Sequence, residues 1–169
     1  MNTKINTVRD KRDLRKALGS FGTGVTVVTS GNSQSRWVGV TANSFSSVSL
    51  EPPIVLWSLV STSPNLEVFD QTERFVINVL SLEQVELSKQ FSKPLTDKFA
   101  GVECVEGLGG VPVIQNCVAT FECKTVQRIL VGDHVLFLGQ VENYVYEGKT
   151  PLLFCQGQYA QVAEALQSN

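Results

Sequence analysis

The chain has 169 residues, with 14 Lys plus Arg against 16 Asp plus Glu, one His and a charged fraction of 18%. That length suits one domain with a core that needs no staple. The near-neutral balance argues against a charge-driven disordered chain and against a general nucleic-acid binder, and the single histidine excludes a site built from several His ligands.

In chain order, residues 8–18 read as a short amphipathic helix. Val8, Leu14, Ala17 and Leu18 recur at helical spacing, and Gly19 is placed to end it. From Phe21 the period changes. Val25, Val27 and Val28 with Thr26 and Thr29 form a β-branched strand, closed by a turn at Ser30-Gly31-Asn32-Ser33. Trp37 to Thr41 returns as the second strand of a hairpin. Residues 42–51 are polar and Ser-rich, and Pro52-Pro53 interrupts regular structure. Ile54 to Val60 reads as a buried strand. Ser61-Thr62-Ser63-Pro64 has the form of a helix start, with the helix running to Gln71.

Residues 75–80 form the next strand, and 81–90 a helix opened by Ser81. Residues 92–116 are irregular. Three strands follow, Val118 to Leu130, Val135 to Tyr146 and Leu152 to Cys155, with a turn at Val131-Gly132-Asp133 between the first two. Residues 160–169 fray or form a short helix. Six or seven strands with three short helices, and no βαβ alternation, predict a mainly β or α+β barrel in one domain, 1–169.

The cysteines, Cys104, Cys117, Cys123 and Cys155, include no CxxC pair, so no metal site is expected. No secretory segment follows Met1, and no apolar run reaches the ~18–20 residues of a span. Reduced thiols in a cytoplasmic protein, away from membrane and nucleic acid, are expected.

Four features can carry chemistry. Gly19 to Gly24 lacks the lysine of a phosphate loop and reads as a tight helix-to-strand connection. The run Thr41-Ala42-Asn43-Ser44-Phe45-Ser46-Ser47-Val48-Ser49 is dense in neutral donors and acceptors. It suits the polar edge of a planar heterocycle, or caps its own backbone. Ser61 and Ser63 at a helix start, with Lys93 and Lys98, suit a phosphate. His134 follows Gly132-Asp133 at a strand start, where loops carry function.

These residues resemble a known family. Phe21-Gly22-Thr23-Gly24-Val25-Thr26-Val27-Val28-Thr29, then Gly39 to Pro53, Phe75 to Leu80, Phe121-Glu122-Cys123, Gly132-Asp133-His134 and Pro151-Leu152-Leu153-Phe154 are similar to the short-chain flavin reductases. Those are reductase components of two-component flavin monooxygenases. The resemblance covers roughly residues 12–160.

It implies a Greek-key-like split β-barrel that binds FMN, or FAD, as a homodimer, and takes hydride from NADH or NADPH. A flavin-dependent monooxygenase would be the partner. A non-catalytic flavin carrier is the alternative. By the resemblance, Thr41, Ala42, Asn43, Ser44, Phe45 and Ser46 line the isoalloxazine. Ser61, Ser63, Phe91, Ser92, Lys93 and Lys98 surround the ribityl phosphate. His134, Gln156, Gly157 and Tyr159 lie on the nicotinamide side, with His134 orienting that ring. Many relatives carry an Arg near Lys98 or beside Tyr159. Here Tyr159 stands between Gln158 and Ala160, which leaves NADH versus NADPH and the pyrophosphate grip open. On this reading the low charged fraction corresponds to a dimer interface.

Overall fold

Three short helices are joined to twelve strands in a computed structural model that describes residues 10–32 and 35–163. Helix α1 is Lys11–Leu18, and the Asp10 side chain accepts a hydrogen bond from the Arg12 amide at its start. Its predicted first residues, including Val8, lie outside the described residues. Strands β1 (Thr23–Gly24), β2 (Thr26–Asn32), β3 (Ser35–Ala42), β4 (Ser46–Leu50) and β5 (Pro53–Val60) follow. Helix α2 is Leu66–Gln71, and β6 is Arg74–Val79. A 3₁₀ turn at Leu82–Gln84 leads into α3, Val85–Ser92, through a capping box between Ser81 and Gln84. Then come β7 (Cys104–Glu106), β8 (Pro112–Ile114), β9 (Ala119–Val131), β10 (His134–Tyr146), β11 (Leu153–Cys155) and β12 (Gln158–Ala160).

Seven strands form one antiparallel sheet in the order β3-β2-β6-β9-β10-β5-β4. The sheet curls on itself, because Val28, Val38, Val55, Trp57, Phe75, Ile77, Cys123 and Phe137 from six of its strands enclose one core. Trp57 stacks on Phe137 with ring centroids 4.9 Å apart, and Phe69 of α2 meets the indole edge-on, also at 4.9 Å. The two edge strands, β3 and β4, are consecutive in the chain. Among the described residues no ladder joins them, so the barrel is split at a seam that residues 43–45 cross.

Strand β2 is buried on both faces. Val28 points into the barrel, and Val27 joins an outer core with Leu80, Phe91, Ile114 and Leu152. That outer core lies under α3, whose Phe91 packs directly on Gly39 of β3. A second sheet, β1-β11-β12, and the hairpin β7-β8 complete the fold.

The fold corrects several expectations. Ser30, Gly31 and Asn32 continue β2 and do not form the turn; Ser33 lies outside the described residues. Within the run read as polar, Ser46–Leu50 is an exposed edge strand, because its backbone completes the free side of β5. The helix after Pro64 begins at Leu66, with Asn65 as its cap. The Ser63 hydroxyl instead accepts the Asn65 amide in a local turn. Residues 92–116 contain β7 and β8, which are too short to carry a periodic signal. Strand β12 was likewise not read from the sequence. The tail beyond 163 lies outside the described residues.

Candidate active site at the barrel seam

Where the chain crosses the seam, side chains tie it to the strands on either side. Ser44 Oγ accepts the Ser58 amide at 3.0 Å and donates to the Ser58 carbonyl at 3.2 Å, two residues beyond the last β4–β5 pair, Ser46 with Leu56. Thr26 Oγ1 donates to the Ala42 carbonyl at 2.7 Å. These bonds anchor both sides of Asn43, whose side chain stays exposed.

Two cavities meet at Asn43 and Phe154. The larger, 1180 Å³, lies between α1 and the seam, and is bounded by Thr23, Ser44, Gln156 and Gly157 together with Leu18 and Phe21. The smaller, 290 Å³, runs back toward α3 between Thr41, Ala42, Ser92 and Tyr159. Its rear wall is fixed by a short relay. Thr41 Oγ1 donates to the Ser88 carbonyl at 2.7 Å, and the Ser88 and Tyr159 hydroxyls share a bond of 2.9 Å. The Tyr159 ring meets Phe154 edge-on. The Gln156-Gly157 turn between β11 and β12 has positive φ at both residues. The Gln156 amide donates to the Gly19 carbonyl at 2.7 Å, tying this rim to the end of α1.

The structure thus brings together Thr41, Ala42, Asn43, Ser44, Ser92, Gln156, Gly157 and Tyr159. The remaining candidates are placed elsewhere. Phe45 turns inward, packs on the barrel core and stacks on Phe121. Ser46 lies exposed on β4. The Phe91 side chain is 1% exposed, so it offers packing and no ligand-facing surface. Lys98 Nζ donates to the carbonyls of Phe91 (2.7 Å) and Gly39 (3.3 Å), and burial lowers its pKa. Lys93 is exposed just past α3.

His134 lines neither cavity. It opens β10 after a two-residue turn in which Gly132 has φ +59, and its Nδ1 lies 2.7 Å from the Asp133 carboxylate. That bond holds the Asp133 carboxyl below its usual range, with a smaller contribution from the charge of Lys11. Ser61 belongs to this group, since its amide and hydroxyl both donate to the Asp133 carbonyl. Ser63 follows in the turn that leads into α2.

Sequence reasoning missed the α1 wall. Arg12, Arg15 and Lys16 line the larger cavity with Leu18, Phe21 and Thr23. A helix with charges on one stripe reads as an ordinary solvated surface; only the tertiary placement turns that stripe toward a cavity. Thr23 Oγ1 is buried at this wall with no hydrogen-bond partner among the described residues. An orphaned hydroxyl, a free Asn43 amide and apolar walls fit a flat ring with a polar edge. Among the described residues no cluster of His, Cys, Asp or Glu could hold a metal ion, and no helix is long and apolar enough to cross a membrane.

Comparison with known proteins gives the family. Residues 18–163 match the family model "Flavin reductase like domain". The chain is 39% identical to the stachydrine N-demethylase reductase subunit Stc3 of Rhizobium meliloti, covering 96% of this chain and 70% of that protein. It is 39% identical to the reductase component of the flavin-dependent trigonelline monooxygenase of Acinetobacter baylyi, over 96% of this chain and 53% of the relative. With a further Rhizobium meliloti relative, 43% identical, it covers 49% of that length, so the chain spans about half of two curated relatives that it matches. The solved structure of the Streptomyces globisporus NADH:FAD oxidoreductase SgcE6, in complex with NAD and FAD fragments, superposes with a TM-score of 0.90 at 34% identity, covering 95% of this chain and 98% of that one. On the family match and these relatives, this split barrel belongs to the flavin reductase-like domain family.

Proposed function

We propose that the chain is an NAD(P)H:flavin oxidoreductase that supplies reduced flavin to a flavin-dependent monooxygenase. The observation that carries this reading is the pair of joined cavities at the seam. One is large enough for a dinucleotide arm, and the other is a narrow slot with hydroxyl and amide groups on its rim. Relatives named as an NADH-dependent FMN reductase and as monooxygenase reductase components support it. A bound flavin, FMN or FAD, supplies the hydride-accepting ring, and NADH or NADPH is the co-substrate.

The chain's own residues position and exclude. Thr41 to Ser44 present the seam's polar edge. The Thr41–Ser88–Tyr159 bonds fix the slot wall, and Phe154 lines both cavities where they join. Ser92 sits at the phosphate end, with Lys93 and Lys98 nearby in sequence. His134, which lines neither cavity, is assigned to the nicotinamide side as a positioning group by the Gly132-Asp133-His134 match alone. Hydride transfer needs no acid–base dyad from the protein, so positioning accounts for most of the catalysis.

The working unit is one domain, about residues 12–160, acting as a cytoplasmic homodimer. Exposed apolar side chains at the β9–β10 ribbon, Leu130, Val131, Tyr144 and Tyr146, support an interface. Four free cysteines are consistent with a reducing compartment. Anaerobic mixing with NADH and FMN tests the reading. Bleaching of the flavin absorbance with turnover supports the enzyme. Tight flavin binding without bleaching by either nicotinamide would leave a carrier, and a monomeric mass by light scattering would remove the dimer.

A further inference from the structure

The α1 wall of the larger cavity is cationic, with Asp10 the one acidic partner given to it among the described residues. Arg12, Arg15 and Lys16 line it, and no acidic residue does. They are three of the chain's 14 Lys and Arg, gathered at one cavity in a protein of net charge −2. Arg12 is only loosely paired, with Asp10 at 3.8 Å, and among the described residues Arg15 and Lys16 have no ion-pair partner. The helix buries no residue of its own, so packing does not account for these side chains. Helix α1 is tied to the body at its C-terminal end, where Gly19 accepts the Gln156 amide, and Gln156 itself lines the same cavity.

The smaller cavity beside it is lined by neutral groups, and Tyr159 has Gln158 and Ala160 as its neighbours in the chain. We infer that Arg15 and Lys16, assisted by Arg12, hold the pyrophosphate of the reduced nicotinamide dinucleotide against α1. This deepens the proposed reductase reading and rests on it. The chemistry is general: a guanidinium and an ammonium facing a cavity form charge-assisted bonds to phosphate oxygens. Flavin nucleotides also carry phosphate, so the test must separate the two sources.

Steady-state kinetics on the intact chain does so. Arg15→Ala and Lys16→Ala should each raise the NADH KM about tenfold, the effect of losing one charge-assisted contact. Because no core residue is touched, kcat and the melting curve should hold. Arg15→Lys should restore part of the loss, and raising salt should weaken NADH binding more in the parent than in the double variant. Removing a remote charge, Lys124→Ala, should leave the NADH KM unchanged, which excludes a net-charge effect.

An NADH KM within twofold of the parent in the double variant would overturn the inference. So would a rise in the FMN KM, with riboflavin and NADH unaffected, because the cations would then hold the flavin phosphate. Calorimetry with ADP-ribose is independent of turnover. Weaker ADP-ribose binding in the double variant, with adenosine unaffected, supports the α1 grip. Equal binding, or none to the parent, refutes it. A parent that binds ADP-ribose through Arg15 and Lys16 but reduces no flavin would reject the reductase reading alone.

Discussion

Gly39→Ala is the most direct test of how the barrel wall and the site are coupled. A Cβ on Gly39 would strike the Phe91 ring at Cε1 and Cδ1 and approach Phe99 Cζ at 3.5 Å. Phe91 is buried and cannot swing to solvent, so the added methyl must push α3 away from β3. Overpacking of this kind costs about 1–3 kcal/mol. For a chain of this size, each kcal/mol lowers Tm by about 2–4 °C, which predicts a fall of about 2–12 °C. The displaced helix also carries Ser88 and the Phe91 carbonyl, so the bonds to Thr41, Tyr159 and Lys98 loosen with it. Flavin affinity should fall alongside stability.

Thermal melts and flavin titrations of Gly39→Ala, Phe91→Leu and the double variant provide the assay. Removing ring atoms makes room for the methyl, so the double variant should be more stable than the sum of the singles by at least about 0.5 kcal/mol. Additive effects, or a Gly39→Ala melt within about 1 °C of the parent, would refute the argument that the glycine is a packing requirement.

Ser44→Ala removes the side chain that bridges to both backbone groups of Ser58. It should cost about 1 kcal/mol and weaken flavin binding, measured by urea unfolding and fluorescence titration. His134→Ala should raise the nicotinamide KM more than it changes flavin affinity. An unchanged KM would remove His134 from the site. Burial pushes the thiols of Cys117 and Cys123 up to about 12 and that of Cys104 to about 11. A thiol-specific chromogenic reagent at neutral pH should therefore leave Cys117 and Cys123 unmodified until denaturant is added. The same shifts favour the neutral thiol in the folded state. Stability should be complete below about pH 8.5, where unfolded thiols begin to ionise, and should decline as pH rises toward 12 in chemical denaturation.

Much of the fold was legible because it is written in local pattern. Strands β2, β3, β5, β6, β9 and β10 are long and apolar or alternating, and the Ser81–Gln84 box and the Gly132-Asp133 turn are short-range signals. The seam loop Thr41 to Ser44 was legible as part of a polar run and the Gln156–Tyr159 rim only through the family resemblance, and the two share the cavities. Strands β4, β7, β8 and β12 were not, because three to five residues give too few periods, and an edge strand such as β4 has no buried face to mark it.

Local sequence therefore determined which segments extend, which coil and where the chain turns, since those choices depend on neighbours within a few residues. Tertiary structure decided the rest. Strand order left no ladder between the edge strands β3 and β4 among the described residues and so placed Asn43 at a seam. Packing of α3 on Gly39 drew Phe91 into the core and bound Lys98 to backbone carbonyls. The tie between Gly19 and Gln156 turned the charged stripe of α1 toward a cavity instead of bulk water. Those outcomes depend on contacts between residues tens of positions apart, which no local pattern encodes.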